Sequence, residues 1–489
     1  MRLRTQVILT SISKSLKHVS VFIIAIFLTR YFTKDEYGTY IQVMMIMDVA
    51  LYLALFGIPS SVYYFLPRAA EKKRLMKNTM LLLFSVAVLV SAIIYQFIEQ
   101  LATGLNNLEL VPLGWLIASF ILLQIPIKLY EPFMICTQNV ARFVAVNATF
   151  NLAFLFAVVT PLLLGWSLAD LLLVLFYFFL AQFLAIYIVT GYTYFQLKDD
   201  VSGEEYRVAE QISYSAPIGF SGAIAQLGKI VDKVIVSGYF NPATLAVYAR
   251  GAMEIPMLNV IANSLGNILM PKFVEEFRAG NNAAVLKLWH SSIKMMAMFI
   301  YPTLVFLILN GSNIIPFLFT EEYLASVIIF QIYTLGLVTR ITSYDSIVRT
   351  VGKTKILLKM SVFAVVLNVV LTIVLINAMG IVGAPLATVI VGTILRFIYL
   401  VIITKLLEVS LFNVFPWMSL LKLIVSALLA GACILPILSI GLSYLMAILV
   451  SGAVFSIVYL IVFRILKPLD KSELKSVKGL IPKPLRWVL

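Results

Sequence analysis

Apolar blocks, each about the length of one membrane-spanning helix, follow one another almost from end to end of this chain, with short polar stretches between them. At a rise of 1.5 Å per residue, roughly 20 apolar residues cross the ~30 Å hydrocarbon layer of a bilayer. The pattern predicts about fourteen such helices, centred near Ile23, Tyr52, Val88, Phe120, Phe154, Phe178, Ala225, Asn259, Ile300, Ile332, Leu367, Val391, Leu428 and Phe455. Several contain proline, among them Pro59, Pro126, Pro217, Pro256 and Pro302. An interior proline costs a soluble helix about 3 kcal/mol. In a bundle, neighbouring helices re-satisfy the freed backbone groups, so these prolines predict bends rather than ends. The fold class is an all-α polytopic membrane protein.

Composition excludes a soluble alternative. The chain is 62% hydrophobic and 12% charged, more apolar surface than a globular core can hide. Lys and Arg then set the sidedness. With Arg2 and Arg4 in the cytoplasm, the loop carrying Arg68, Lys72, Lys73, Arg74 and Lys77 falls on the same side, as does the tail after Arg464. The opposite loops hold Arg30 and Lys34 against Asp35, Glu36, Glu99, Glu109, Asp170, Glu321 and Glu322. This positive-inside asymmetry needs an even number of spans and places both termini in the cytoplasm of a multi-pass cell-membrane (inner-membrane) protein. The net charge of +14 reflects that topology and does not point to nucleic acid. The first apolar segment lacks a cleavage site and continues to full spanning length, so it reads as a mature helix. Two cysteines, Cys136 and Cys433, and two histidines imply no disulfide framework and no metal site. There is no Gly-rich phosphate loop and no His-Glu-x-x-His. The chain is expected to be no enzyme and to carry no catalytic residue and no cofactor.

An internal repeat organises the spans. Tyr31-Phe32 followed by Tyr40 matches Tyr239-Phe240 followed by Tyr248, and Phe65-Leu66-Pro67-Arg68 matches Leu269-Met270-Pro271-Lys272. Tyr130-Glu131 before Arg142 matches Tyr344-Asp345 before Lys355 at a similar offset. Six spans return the chain to the same side, so the two copies are parallel. The expected organisation is residues 1–200 as a first six-helix lobe, 201–407 as a second, 408–466 as two appended helices and 467–489 as a basic cytoplasmic tail.

Three segments carry a family resemblance: the stretch from Leu28 to Tyr40, the stretch from Asp232 to Tyr239 with Tyr248 and Pro271, and the stretch from Gly380 to Thr388. In these the chain resembles the polysaccharide-transport, O-antigen flippase branch of the multidrug/oligosaccharidyl-lipid/polysaccharide (MOP) exporter superfamily. The resemblance covers the first twelve spans. It implies two six-helix lobes around a central cavity lined by spans one, two, seven and eight. It also implies flipping of a polyprenyl-diphosphate-linked oligosaccharide from the cytoplasmic to the outer leaflet, by alternating access, for surface polysaccharide. Fold-level analogy does not settle function, so the site is argued from residues.

A charge at the bilayer centre costs at least ~2.5–3.5 kcal/mol, so intramembrane charges are expected in wet cavities or in pairs. Lys14 and Lys17 lie in span one, Asp48 in span two, and Lys229, Asp232 and Lys233 at one-face helical spacing in span seven. Arg250 and Glu254 lie one turn apart in span eight, Arg340 and Asp345 in span ten, and Arg396 in span twelve. The cations Lys14, Lys17, Lys229, Lys233, Arg250, Arg340 and Arg396 are the expected binding set for a diphosphate, which cannot be buried without partners. The acids Asp48, Asp232, Glu254 and Asp345 are expected to line the cavity or to bind a coupling ion, Na⁺ or H⁺. Bland readings stand beside these. Asp232 between Lys229 and Lys233 can be a self-neutralised cluster, and Arg250–Glu254 an internal pair. Arg30, Lys128, Lys294, Arg349 and Lys422, near span ends, are expected to snorkel to the interface. The expected partners are the lipid-linked glycan and the bilayer, with a glycan polymerase or glycosyltransferase as a further partner. Two other functions compete: a multidrug or cation antiporter of the same superfamily, and a non-transporting scaffold of a glycan assembly complex.

Overall fold

A computed structural model describes residues 3–200, 203–253, 269–470 and 473, with side chains described except for 3–15 and Thr354. Among these residues the chain is helical throughout, joined by short turns, with one isolated bridge between Ala69 and Glu204. Helix is what such apolar blocks must form in lipid, because every backbone donor and acceptor has to be satisfied within the segment. Capping boxes fix two of the starts. Thr33 and Glu36 exchange hydrogen bonds ahead of Lys34–Ala54, and Ser167 and Asp170 do so ahead of Leu168–Phe195.

Nine segments among the described residues are long and apolar enough to cross a membrane. They are Lys34–Ala54, Lys72–Gln96, Gly114–Cys136, Val140–Leu163, Leu168–Phe195, Asn282–Phe319, Lys355–Leu407, Trp417–Leu438 and Tyr444–Leu466; Lys355–Leu407 passes through two helices. The expected centres Ile23, Ala225 and Ile332 also fall in helices, and Asn259 lies outside the described residues. Two of those helices are cut short by breaks. Val208–Leu227 stops before a turn and resumes as Val231–Tyr239, and Ser326–Leu335 passes through a tight turn to Asp345–Thr350.

Contacts gather into two compact units, residues 1–246 and 247–489. In the first, Gly114–Cys136 is the most buried of the candidate spans among the described residues, whereas Lys72–Gln96 shows only one stripe, Leu75, Met76, Thr79, Leu83, Ala87 and Ser91, to its neighbours. The remaining faces are apolar and exposed, which suits hydrocarbon rather than water. Helices Val208–Leu227 and Val231–Tyr239, expected in the second lobe, pack in this first unit. Gln211 holds the first of them: its Nε2 donates to Ser61 Oγ (2.8 Å) and Thr79 Oγ1 (3.0 Å), and its Oε1 accepts from the Tyr206 hydroxyl. Burial pushes the Tyr206 phenol up, so it stays protonated and keeps donating. Gly57, at φ +74°, turns the chain from Lys34–Ala54 into the short helix Ile58–Phe65 against Ser215 and Gly219.

In the second unit the 38-residue helix Asn282–Phe319 is the spine, around a core that includes Trp289, Ile293, Met296 and Ile300. The two helices expected as an appendage, Trp417–Leu438 and Tyr444–Leu466, pack directly on it. Ser451 Oγ donates to Asn310 Oδ1 (2.9 Å) and the Tyr459 hydroxyl to the Met298 carbonyl (2.9 Å).

Candidate functional site

The first unit gathers four charged side chains from four separate elements. Lys17 comes from the helix Leu3–Tyr31, Asp48 from Lys34–Ala54, Lys128 from the turn between Gly114–Ile127 and Tyr130–Cys136, and Lys233 from Val231–Tyr239. Asp48 lies within electrostatic reach of Lys128, Lys17 and Lys233. Lys128 in turn feels Lys17, Asp48 and Glu131. Asp48, Lys128 and Lys233 are partly buried and Lys17 is exposed. Three ammonium groups lie within electrostatic reach of one carboxylate, and Glu131 within reach of Lys128, so the cations of the locus outnumber its acids. The locus can hold an anion with more than one negative charge, or rearrange its own pairs when the anion leaves.

A polar lock fixes the approach of two of these helices. Gln42, a turn and a half before Asp48, donates through Nε2 to Ser237 Oγ and to the Leu105 carbonyl, both at 2.8 Å, and accepts from Asn107 Nδ2 at 2.6 Å. Asn107 also donates to Thr39 Oγ1 (2.8 Å), and Asn106 to the Gly238 carbonyl (2.6 Å). Ser237 lies one helical turn beyond Lys233, so the lock fixes the register of the two helices that carry Lys233 and Asp48.

The readings of Lys229 and Lys128 need correction, and the structure places Asp232 and Asp345 in local interactions. Lys229 does not share a helical face with Asp232 and Lys233. Helix Val208–Leu227 ends in a turn over Gly228–Ile230, closed by bonds from Lys229 N to the Gln226 carbonyl and from Ile230 N to the Leu227 carbonyl (both 3.0 Å), and it leaves Lys229 exposed. Asp232 is buried, and its Oδ1 accepts from the backbone N–H of Lys233 (2.9 Å), so it serves the start of its own helix. Asp345 is an ion-pair partner of Arg349, at 2.6 Å and four residues on, with both side chains substantially exposed. Lys128 does not snorkel from a span end. Pro126 lacks an N–H, so the helix tightens through bonds from Lys128 N to the Ile125 carbonyl and Leu129 N to the Pro126 carbonyl (both 3.2 Å) and then continues to Cys136. Lys128 therefore sits inside the span. The readable signal was the apolar run resuming after Glu131, with Pro132, Phe133, Met134 and Ile135.

The second unit has its own basic locus. Arg396 Nη1 donates to Thr339 Oγ1 at 2.7 Å, and Arg340 and Tyr344 lie within its electrostatic reach. The Tyr344 hydroxyl donates to the Thr339 carbonyl (2.9 Å), holding that wall together. Arg250 lies over the Phe319 ring at 5.2 Å. Glu254 is outside the described residues, and Lys14 has its backbone in a helix with its side chain outside them. Lys294, expected to snorkel, pairs with Glu473 at 3.2 Å. Among the described residues no group of three or more His, Cys, Asp or Glu could hold a metal.

Comparison with known proteins adds family and fold. A family described as "Polysaccharide biosynthesis protein" matches residues 3–277, more than half of the chain. The capsular polysaccharide biosynthesis protein CapF of Staphylococcus aureus is 23% identical over 214 residues, 42% of this chain; the chain spans about half, 52%, of that relative. Among solved structures, lipid II flippase MurJ in an inward closed conformation superposes with a TM-score of 0.71 at 17% identity, over 94% of this chain and 98% of that one. An inward-facing multidrug resistance MATE family transporter of the MOP superfamily gives 0.65 at 11% identity, over 83% and 99%. At these identities the likeness is one of fold.

Proposed function

The chain belongs to the polysaccharide biosynthesis protein family, and from that premise we propose that it is a MOP-type flippase carrying a polyprenyl-diphosphate-linked oligosaccharide from the cytoplasmic to the outer leaflet. The observation that carries the reading is that Lys17, Lys128 and Lys233, from three separate elements, all lie within electrostatic reach of Asp48. A diphosphate brings roughly two negative charges, and charge-assisted bonds from ammonium groups offset the cost of taking them out of water. A cation of drug size gains nothing from that field. Lys14, Lys229, Arg250, Arg340 and Arg396 are the remaining proposed cations of the headgroup-binding set, with Arg340 and Arg396 together in the second unit. Asp48 is the acid best placed to exchange a coupling Na⁺ or H⁺ for the headgroup, because it contacts all three lysines electrostatically. The proposal includes fourteen crossings in two parallel six-helix lobes plus two helices, with both termini cytoplasmic as the lysine and arginine asymmetry argues.

The second reading is export of a drug or cation in exchange for an ion. Its specific support is the fold shared with multidrug transporters, together with the two carboxylates, Asp48 and Glu131, near Lys128. One deletion strain separates the two. A flippase strain loses surface glycan and accumulates the lipid-linked glycan on the cytoplasmic side, with cationic dye retention unchanged. An antiporter strain retains dye and displays normal glycan.

A further inference from the structure

The first unit contains a cavity of about 380 Å³ at the ends of Ile58–Phe65, Lys72–Gln96, Tyr130–Cys136 and Leu168–Phe195, within the roughly 300–1,000 Å³ range of small-ligand sites. Its lining includes Lys72, Thr137, Asn139, Thr193, Gln196 and Lys198. Arg142 stands behind that wall, donating from Nη1 to Thr193 Oγ1 at 3.2 Å and lying over the Tyr192 ring at 5.2 Å. Asp200 pairs with Lys72 at 3.6 Å, while Lys198 is exposed. The charged residues in the lining itself, Lys72 and Lys198, are both cations, and Asp199 Oδ1 accepts from the Lys73 backbone N–H at 3.1 Å.

Its outer edge is apolar. Leu184, Ile188 and Tyr192 are 52%, 72% and 57% exposed and lie four residues apart, so they form one stripe along Leu168–Phe195. The next position in that register is Gln196, which lines the cavity. An apolar track that faces lipid thus runs into a cationic, hydrogen-bonding pocket at the membrane–water boundary. Basic pockets between membrane helices at this depth suit anionic lipid headgroups.

We propose that this cavity binds the phosphate headgroup of an anionic phospholipid, with an acyl chain along the Leu184–Ile188–Tyr192 stripe. Lys198, Lys72 and the polar groups of Thr137, Asn139 and Gln196 hold the phosphate oxygens. None of the residues lining it is one of the four charged residues of the proposed translocation locus, and the proposed occupant is a resident lipid rather than the transported one.

The test is native mass spectrometry of the full-length protein titrated with phosphatidylglycerol or phosphatidylcholine. Wild type is expected to retain phosphatidylglycerol in preference. Lys198→Gln, an exposed change that spares the fold, is expected to weaken retention roughly fivefold, on the scale of one lysine at a membrane surface. Lys72→Gln with Lys198→Gln weakens it further, whereas Lys353→Gln, an exposed lysine elsewhere, changes nothing. Equal retention of the two lipids, or no response to Lys198→Gln, overturns the proposal. Displacement by inorganic phosphate as effective as by short-chain phosphatidylglycerol also overturns it, because the acyl stripe then contributes nothing and the site belongs to free phosphate.

Discussion

Gln42 makes three hydrogen bonds in full burial, and each partner is itself buried. Replacing it by leucine leaves Ser237 and Asn107 short of a partner away from water, at a cost of about 1–3 kcal/mol for each stranded group. Gln42→Leu is therefore expected to lower the thermal unfolding temperature clearly in detergent, while Gln100→Leu, at an exposed site, does not. Lys128 poses the complementary case. Lys128→Gln keeps a polar side chain, one atom shorter, and removes the charge, leaving Asp48 and Glu131 to be balanced by Lys17 and Lys233. Surface glycan in a complemented deletion strain should fall at least tenfold with protein levels unchanged; full display would remove Lys128 from the site. Asp48, Lys17 and Lys233 were legible in the sequence, because a charge in an apolar run has to be compensated. Lys128 was legible only through the apolar run that resumes at Pro132 after Glu131, because a tightened turn within a span otherwise looks like a span end. Asp345 pairs with Arg349 four residues on, a spacing that the sequence itself displays.

At the scale of elements, the apolar blocks specify helices well and their interruptions poorly. The break over Gly228–Ile230 takes Lys229 off the face of Lys233, and nothing in hydrophobic periodicity marks it. Gly57 is a break that a side chain would oppose twice. Its φ of +74° disfavours any L residue, and a Cβ there would sit 2.6 Å from the Ser215 carbonyl oxygen. Gly57→Ala is expected to destabilise the protein by about 1–3 kcal/mol, read as a lower unfolding temperature. Gly38→Ala should do the same through contact with the Pro242 backbone. Unchanged unfolding in both variants would mean that helix Lys34–Ala54 does not pack as closely as described on Val208–Leu227 and on the turn at Pro242.

On the scale of the whole molecule, sequence symmetry and compactness draw different lines. The repeat divides the chain near residue 200, whereas the compact units divide at residue 246, because Gln211 and Ser237 tie the helices between those points into the first unit. Class, helix content and family were legible from hydropathy and from the segments around Tyr31, Asp232 and Gly383. The grouping of Lys17, Lys128 and Lys233 within electrostatic reach of Asp48 was not, since it depends on four elements meeting in space. That grouping is the basis for assigning an anionic lipid-linked cargo. Its most direct test is reconstitution of the purified protein into vesicles carrying a fluorescent polyprenyl-diphosphate-linked saccharide, probed with a membrane-impermeant quencher. Wild type should make inner-leaflet lipid accessible to the quencher, and Lys17→Gln/Lys128→Gln/Lys233→Gln should behave like protein-free vesicles. Equal accessibility with and without wild-type protein, or undiminished flipping by the triple variant, would contradict the account.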